Sequence, residues 1–201
     1  MALAIYVGRR QCRGGCLPAS NLYPILQLRG RVAMNTMKED WNLRANANAM
    51  YYIATHRQNW TTEEFYTYGT KQAEILIRPA LERLGISPRG TLLEIGCGMG
   101  RLFPGFRELG FTELIGIDVS DVMIDKARSL CPVGATFIVG NGRDLNPVPS
   151  DSVDYCFSYT VFQHIPKKSL IWSYLHRSQE YCVLEEASSS ISGGRRRGKD
   201  L

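Results

Sequence analysis

Acidic residues are missing from the first 34 positions of this 201-residue chain, which carry a charge of +5 from arginines alone: Arg9, Arg10, Arg13, Arg29 and Arg31. Residues 35–180 hold 15 basic and 16 acidic side chains, which gives −1, and residues 181–201 hold 4 and 3, which gives +1. The basic charge therefore belongs to the N-terminal arm. Because the central part of the chain has no excess of positive charge with which to hold a phosphate backbone, we expect no nucleic-acid partner.

Long apolar runs and paired cysteines are also absent. No stretch reaches the roughly 20 apolar residues that a helix needs to cross a bilayer, so we expect no membrane partner. Six cysteines are scattered along the chain, and Cys12 and Cys16 have no second close pair to complete a zinc site. This usage is typical of reduced thiols and predicts a cytoplasmic protein without a metal site.

Three glycines stand at alternate positions in one short stretch, residues 91–100, with the sequence TLLEIGCGMG. Its apolar start is too short for a helix and predicts a buried parallel strand, while the alternate glycines predict a tight turn that a nucleoside can approach closely. Residues 113–118 predict a second strand that ends in Asp118, where a carboxylate can accept hydrogen bonds from both hydroxyls of a ribose. The two strands together predict a nucleoside site.

This pattern resembles that of the class I S-adenosylmethionine-dependent methyltransferases, whose first motif ExGxGxG is matched by Glu94, Gly96, Gly98 and Gly100. Further stretches extend the match: residues 118–120, 141–142, 153–158 and 161–166. The resemblance implies an α/β fold, with a Rossmann-like, doubly wound and mainly parallel sheet and an N-terminal helical cap. It also implies that S-adenosyl-L-methionine is the cofactor of an enzyme that transfers a methyl group to an O, N or C atom of a small molecule.

The same resemblance implies the residues of the site. Those expected to bind the cofactor are Glu94, Gly96, Cys97, Gly98, Gly100, Asp118, Val119, Met123, Asn141, Gly142 and Ser158. Those expected to form the acceptor pocket or its lid are Tyr52, Tyr68, Tyr159, Phe162 and Gln163. His164 is the candidate general base, because it alone of the three histidines lies in a motif beside the site.

Several of these interpretations have a structural alternative. Glu94 can be a carboxylate that local backbone N–H groups satisfy, and Asn141 can belong to an Asn-Gly turn. His164 can be a structural histidine, since many methyltransferases need no base. The aromatic residues of the cap, Tyr52 and Tyr68 among them, can be packing residues that never touch a ligand.

Local signals predict two helices before the glycine motif. Residues 38–55 are rich in alanine and contain no proline or glycine, which favours a helix. Residues 61–85 predict a second helix that starts with a capping box at Thr61, is kinked at Pro79 and ends at Gly85.

Shorter elements are predicted after that motif. Residues 101–109 predict a helix that starts late because of Pro104, and Ser120 is expected to cap a helix over residues 121–130. The side chains of that helix expected to face the sheet are Val122, Met123 and Ala127. The remaining predicted elements are strands over residues 136–139 and 153–158 and a helix over residues 168–177.

The resemblance stops after residue 177, where members of the family continue into further strands. Residues 181–201 are rich in Ser, Gly and Arg and predict a disordered tail, so the C-terminal strands of the family fold would be missing. We predict a disordered basic extension over residues 1–37, the cap over residues 38–85 and an incomplete cofactor-binding core over residues 86–180. The fourth strand would then have an unpaired edge, through which two chains can form a dimer.

Two alternatives to methyl transfer stay open. A truncated chain can be a non-catalytic fragment that binds only a nucleoside or a partner chain. A nicotinamide-dependent oxidoreductase shares the strand, the glycine turn and the acidic residue. Its usual turn is GxGxxG, however, and Arg101 stands here in place of the last glycine.

Overall fold

The computed structural model describes residues 4–8, 37–83, 85–149, 152–165 and 167–181. In chain order the elements are β1 (Ala4–Gly8), α1 (Met37–Ile53), α2 (Thr62–Gln72), α3 (Arg78–Arg83), β2 (Thr91–Ile95), α4 (Phe103–Leu109), β3 (Glu113–Asp118), α5 (Asp121–Leu130), β4 (Thr136–Val139), β5 (Tyr155–Tyr159) and α6 (Lys168–Tyr181). A π-helix (Ala73–Ile77) joins α2 to α3, and a 3₁₀-helix (Phe162–His164) follows β5. The tail predicted to be disordered lies outside the described residues from residue 182 onward.

Four of the strands form a parallel sheet in the order β5-β2-β3-β4. The chain runs outward from β2 through β3 to β4 and then returns to place β5 on the other side of β2. The strand order therefore reverses between β2 and β5, and ligands of doubly wound sheets bind in the crevice that opens at the carboxyl ends of such strands. The predicted α/β fold with a mainly parallel sheet is confirmed.

The outer edge of β5 is paired. Strand β1 runs antiparallel to it, with Ala4 opposite Tyr159 and Gly8 opposite Tyr155. The prediction of an unpaired edge on the fourth parallel strand is therefore wrong, because β5 has β1 as a partner strand on that side. The disordered extension over residues 1–37 and the dimer stay predictions.

The second helix of the cap begins as predicted. The Thr61 hydroxyl accepts a hydrogen bond from the Glu64 N–H (3.2 Å), and a Glu64 carboxylate oxygen accepts one from the Thr61 N–H (3.0 Å), which completes the capping box. A kink is expected at Pro79, and the chain forms the π-helix just before this residue. The turn of a π-helix is wider than that of an α-helix, which suits a proline because proline has no N–H to donate. Gly85 ends the region with a φ of +63°.

The first helix of the cap is interrupted at Asn48, whose φ and ψ are −167° and 86°. The Asn48 side chain stabilises this break, since its Oδ1 accepts a hydrogen bond from the Tyr51 N–H (3.1 Å) and its Nδ2 donates one to the Gln58 carbonyl (3.1 Å). The side-chain cap starts a new helical turn. Helix α1 is thus two short helical segments.

The two helices that follow β2 and β3 agree with their predicted bounds. Helix α4 starts late, at Phe103, with a proline in its first turn, and Gly110 ends it. The Ser120 hydroxyl caps α5 by accepting a hydrogen bond from the Met123 N–H (3.1 Å). Ala127 is buried in a cluster with residues of β2 and β3, as predicted. Met123 and Val122 belong to the cluster that includes the cap, so the prediction that they face the sheet is wrong.

Both faces of the sheet are covered by apolar side chains. Because successive residues of a strand point to opposite faces, Leu92 and Leu93 belong to two different buried clusters. A third cluster joins the cap to the core and includes Phe65, Tyr66 and Met99. The carboxyl ends of β2 and β5 therefore lie beneath the cap.

Candidate functional site

The glycine loop after β2 is closed by short backbone contacts. The Gly96 and Cys97 N–H groups both donate to the Ile117 carbonyl of β3, at 2.7 and 3.2 Å. Gly96 has a φ of +71°, and a Cβ atom built on it would overlap the methyl groups of Val161. Only glycine combines this backbone conformation with so close a neighbour. The loop is therefore packed between the end of β3 and the segment that follows β5.

Asp118, the last residue of β3, holds the same loop from the other side. One carboxylate oxygen accepts a hydrogen bond from the Gly98 N–H (2.9 Å), and the other accepts one from the Ser120 N–H (2.9 Å). Burial raises the pKa of Asp118, and the backbone hydrogen bonds oppose this rise. The carboxylate fixes the glycine loop and also faces the cavity described below.

Glu94 and Arg101 are buried charged residues, 5% and 6% exposed. The Arg101 guanidinium donates from Nη1 to Gln72 Oε1 and lies over the Tyr68 ring, 5.4 Å from its centroid. Among the described residues, however, no hydrogen-bond partner is present for Glu94 Oε2 or for Arg101 Nε. Such buried atoms are rare in proteins and indicate a place for a ligand or an ordered water.

Burial also changes the acidity of these two groups. It raises the pKa of Glu94 to about 8, against the opposing effect of the Arg101 charge. It lowers the pKa of Arg101, which the nearby Glu94 opposes. A neutral Glu94 is thus favoured until a cation approaches it.

One open cavity of about 990 Å³, a volume that includes its mouth, lies between these groups and the cap. Its lining residues are Met37, Trp41, Tyr52, Ile53, Glu94, Ile95, Gly96, Cys97, Gly98, Arg101, Leu102, Ile117, Asp118, Val119, Met123, Gly140, Tyr159, Thr160, Val161, His164, Ile165 and Tyr174. We call Glu94, Arg101, Asp118 and loop residues 96–98 the floor. We call Trp41, Tyr52 and His164 the rim, together with Arg44, which lies over the Trp41 and Tyr52 rings.

Seven of the residues predicted to bind the cofactor line this cavity: Glu94, Gly96, Cys97, Gly98, Asp118, Val119 and Met123. Gly100, Gly142 and Ser158 do not. Gly100 faces the Phe137 ring and Gly142 faces Met37 and Val119, while the Ser158 hydroxyl donates to the Ile95 carbonyl (3.1 Å). These residues pack around the site and do not line it.

Asn141 also lies away from the cavity lining. It is exposed, and its Oδ1 accepts hydrogen bonds from the Arg143 and Asp144 N–H groups at 2.7 and 3.0 Å. Its Nδ2 donates to Asp144 Oδ1 at 2.9 Å. The amide closes a turn, which is the structural alternative that the Asn-Gly pair left open.

Some of the residues predicted to form the acceptor pocket line the cavity and others do not. Tyr52, Tyr159 and His164 line the cavity, whereas Phe162 is buried and Gln163 is exposed. Tyr68 lies outside the lining, where its ring packs on the Arg101 guanidinium and its hydroxyl accepts a hydrogen bond from Gln72 Nε2 (2.6 Å). Tyr68 therefore supports the floor from behind.

His164 meets the cap directly. Its ring packs edge-on against Trp41, with 5.4 Å between the ring centroids and an angle of 85°. Partial burial lowers the pKa of His164, the positive charge of Arg44 lowers it further, and Asp40 opposes both. The imidazole is therefore neutral at pH 7 and able to accept a proton.

Twelve of the lining residues were not predicted as site residues, among them Trp41, Arg101, Thr160 and Tyr174. Arg101 follows the glycine loop directly, and a charged residue between apolar neighbours is a signal that sequence reasoning had at hand. Thr160 has a φ of +59°, which is unusual for a β-branched residue and marks a strained turn after β5. Nothing in the local sequence indicates the positions of Trp41 and Tyr174 at the cavity.

Two features of the described residues bear on other functions. No group of three or more His, Cys, Asp or Glu side chains in them is placed to hold a metal ion. None of their helices combines the length and apolar character needed to cross a membrane. The cytoplasmic location stays a prediction.

Comparisons with known proteins identify several related sequences and structures. The family model described as "Methyltransferase domain" matches residues 93–179 of the chain. The biotin biosynthesis bifunctional protein BioHC of Cellvibrio japonicus is 36% identical over 75 residues, which cover 37% of this chain and 14% of that protein. A structure of an S-adenosylmethionine-dependent methyltransferase from Mesorhizobium loti is 31% identical and covers 38% of this chain and 35% of that chain, with a TM-score of 0.33.

A larger part of the fold is shared with phosphoethanolamine N-methyltransferase 1 of Haemonchus contortus, solved with phosphoethanolamine and S-adenosylhomocysteine. That structure is 16% identical and covers 73% of this chain and 29% of its own, with a TM-score of 0.52, which shows a common fold. The chain spans less than two thirds of the length of each of these three proteins. The family match begins in β2 and ends in α6, so it includes the floor and the His164 segment.

Proposed function

We propose that the chain, whose residues 93–179 match the methyltransferase-domain model, is a class I S-adenosylmethionine-dependent methyltransferase that transfers the methyl group of its cofactor to an O, N or C atom of a small molecule. One observation supports this proposal above the others. Two carboxylates, the buried Glu94 and the half-buried Asp118, stand at neighbouring strand ends on either side of a glycine loop and face one open cavity. This is the position at which a doubly wound sheet holds a nucleoside.

The chemistry of the floor fits the cofactor. Asp118 would hold the ribose hydroxyls, since its carboxylate faces the cavity from the end of β3. Glu94 Oε2 and Arg101 Nε, which no described residue satisfies, are a hydrogen-bond acceptor and a donor suited to the ammonium and carboxylate groups of a methionine moiety. When bound, the cofactor supplies an activated methyl group, and the protein contributes mainly by holding the two reactants in line.

The rim supplies the groups for the acceptor. Trp41, Tyr52 and Tyr159 give it aromatic walls, and these exclude water from the reacting atoms. His164 would accept the proton of an acceptor hydroxyl at Nε2 or Nδ1, because its lowered pKa keeps it neutral at pH 7. The small-molecule acceptor and its reacting atom belong to this proposal.

Calorimetric titration with S-adenosylmethionine tests the proposal. We expect micromolar affinity for the wild-type chain and a loss of at least about tenfold in Asp118→Asn, which removes a charge-assisted acceptor from the floor. Asp125→Asn is the matched control, because Asp125 is an exposed carboxylate on α5 that pairs with Arg128 away from the cavity. A folded chain that does not bind the cofactor, or that binds NAD equally well, would contradict the proposal.

A second experiment tests the role of His164. In an assay of methyl transfer from radiolabelled cofactor to a pool of hydroxyl-bearing small molecules, we expect His164→Ala to lose at least about a hundredfold in turnover. Its cofactor affinity should be unchanged. His56→Ala is the control, because His56 is an exposed histidine of the cap that does not line the cavity. Wild-type turnover in His164→Ala would leave the histidine a structural role only.

A further inference from the structure

Arg44 of helix α1 is held in a fixed place at the rim. Its guanidinium carbon lies over the Trp41 ring (5.2 Å to the centroid) and over the Tyr52 ring (5.4 Å). Its Nε donates to Asp40 Oδ2 at 3.0 Å, one helical turn earlier. Two aromatic contacts and one ion pair therefore orient a side chain that would otherwise be free to move.

The outer part of this guanidinium is available to a ligand. Only Nε is engaged by Asp40, and the Arg44 side chain is 39% exposed. No hydrogen bond of its two Nη groups is present among the described residues. A planar fork with free Nη donors is the group that binds a carboxylate through two parallel hydrogen bonds.

Arg44 also stands beside the acceptor side of the cavity. Both rings under it, Trp41 and Tyr52, line that cavity, and Trp41 packs against His164. The positive charge of Arg44 lowers the pKa of the His164 imidazole. The rim thus brings a cation, two aromatic rings and a neutral imidazole to the same opening.

The cationic side chain that lines the cavity is buried at the floor, away from the rim. Within the described part of the chain, Arg101 is the only lysine or arginine that lines the cavity, and it is held by Gln72 and Tyr68 at the floor. The other lining residues near the rim are apolar or aromatic, as are Val161, Ile165 and Tyr174. An acceptor that fits these walls has an apolar or aromatic body, and Arg44 is the group at the rim that can bind an anionic substituent.

We propose that Arg44 binds a carboxylate on the methyl acceptor and thereby selects anionic aromatic acceptors over their neutral analogues. The proposal rests on the proposed function, because it assigns the acceptor class of the same cavity. It makes Arg44 a specificity-determining residue that leaves cofactor binding at the floor unaffected.

The chain offers a matched control in Arg57. This arginine also lies on the cap, over an aromatic ring (Trp60, 5.3 Å to the centroid), and also pairs with a carboxylate (Glu64, 2.8 Å). Its side chain is 47% exposed, close to the value for Arg44. None of Arg57, Trp60 and Glu64 lines the cavity. Arg57→Gln therefore removes the same kinds of contact without touching the proposed subsite.

The test uses the full chain saturated with S-adenosylhomocysteine, titrated with salicylate and with salicylamide, its neutral analogue of the same shape. We expect salicylate to bind at least about tenfold more tightly than salicylamide, because a charge-assisted pair is worth more than a neutral hydrogen bond. Arg44→Gln should abolish this difference, Arg44→Lys should keep part of it, and Arg57→Gln should keep all of it. The affinity for S-adenosylhomocysteine should be the same in all four proteins.

The results of this titration distinguish failure of the Arg44 proposal from failure of the proposed function. Failure of the wild-type chain to bind S-adenosylhomocysteine would contradict the proposed function itself. Binding of S-adenosylhomocysteine with no salicylate binding, or with equal affinity for salicylate and salicylamide, would overturn the role of Arg44 alone. A preference for salicylate that persists in Arg44→Gln would overturn it as well.

Discussion

The floor and the rim of the cavity are built in different ways. The floor is held by backbone hydrogen bonds, as between Gly96 and Ile117, and by charged side chains that are almost fully buried, such as Glu94 and Arg101. The rim is held by ring contacts and an ion pair between half-exposed side chains, with Arg44 between Trp41 and Tyr52.

This difference indicates that the floor and the rim bind different ligands. A floor fixed by the backbone tolerates little change and suits a ligand that is always the same, which is the cofactor. A rim made of side chains can be altered without disturbing the sheet, and it suits the acceptor, which varies between enzymes that share a fold. Substitutions in the floor should therefore affect cofactor binding and stability together, whereas substitutions in the rim should affect acceptor binding alone.

The largest effect is expected from Gly96→Ala. A left-handed backbone conformation costs an L-residue about 1–2 kcal/mol, and the new Cβ would also overlap Val161. We expect a loss of cofactor affinity of about a hundredfold or more, measured by calorimetry.

Gly85→Ala is the control for the effect of backbone conformation alone. Gly85 has a φ of +63°, but no atom lies within 4 Å of the Cβ that alanine would add. We expect this variant to lose about 1–2 kcal/mol of stability and no cofactor affinity. If both variants bind the cofactor like the wild-type chain, the glycine loop does not hold it.

The second prediction concerns the pH dependence of stability. Burial raises the pKa of Glu94 from its ordinary value of 4.5 to about 8, so in this interval the folded chain retains a proton that the unfolded chain has lost. The stability contribution of Glu94 is therefore largest below pH 4.5 and is lost as the pH rises toward 8.

Thermal unfolding without ligand measures this dependence. From about pH 5 to about pH 8 we expect the Tm of the wild-type chain to fall by several degrees more than that of Glu94→Gln, which has no proton to lose. Glu113→Gln, which changes an exposed residue of β3, should keep the wild-type dependence. Parallel Tm curves for the wild-type chain and Glu94→Gln would mean that the carboxylate is not desolvated at the floor.

A smaller effect is expected from Tyr66→Phe. The buried Tyr66 hydroxyl donates to the Met99 carbonyl of the glycine loop (2.9 Å), so helix α2 supports the floor from the cap. Loss of this donor leaves a buried carbonyl without a partner and should cost about 1–2 kcal/mol of stability, with a several-fold loss of cofactor affinity. Tyr51→Phe, on the half-buried face of α1, should change neither. Equal values for the two variants would show that the cap does not position the loop.

The floor was largely predictable from the sequence. Its strand, its glycine turn and Asp118 follow one another within 30 residues, and their geometry is imposed by local backbone rules. The same holds for the capping box at Thr61 and the helix stop at Gly110, which depend on neighbouring residues alone.

Contacts between distant parts of the chain were predicted less well, for a physical reason. Trp41 and Tyr174 reach the cavity from segments more than 130 residues apart, and no local pattern encodes that approach. The amide of Asn141 closes a turn, and its contact with the cofactor stays a prediction, because an Asn-Gly pair is typical of both roles. The pairing of β1 with β5 joins residues 150 positions apart and has no signal in the local sequence.

Amide hydrogen exchange with and without S-adenosylmethionine tests the central claim, that the floor holds the cofactor, most directly. We expect slower exchange in residues 94–101 and 117–121, because a bound ligand suppresses local opening of the loops it contacts. Residues 61–64, which cap α2 away from the cavity, should be unchanged. Binding by calorimetry together with unchanged exchange in residues 94–101 would contradict the claim.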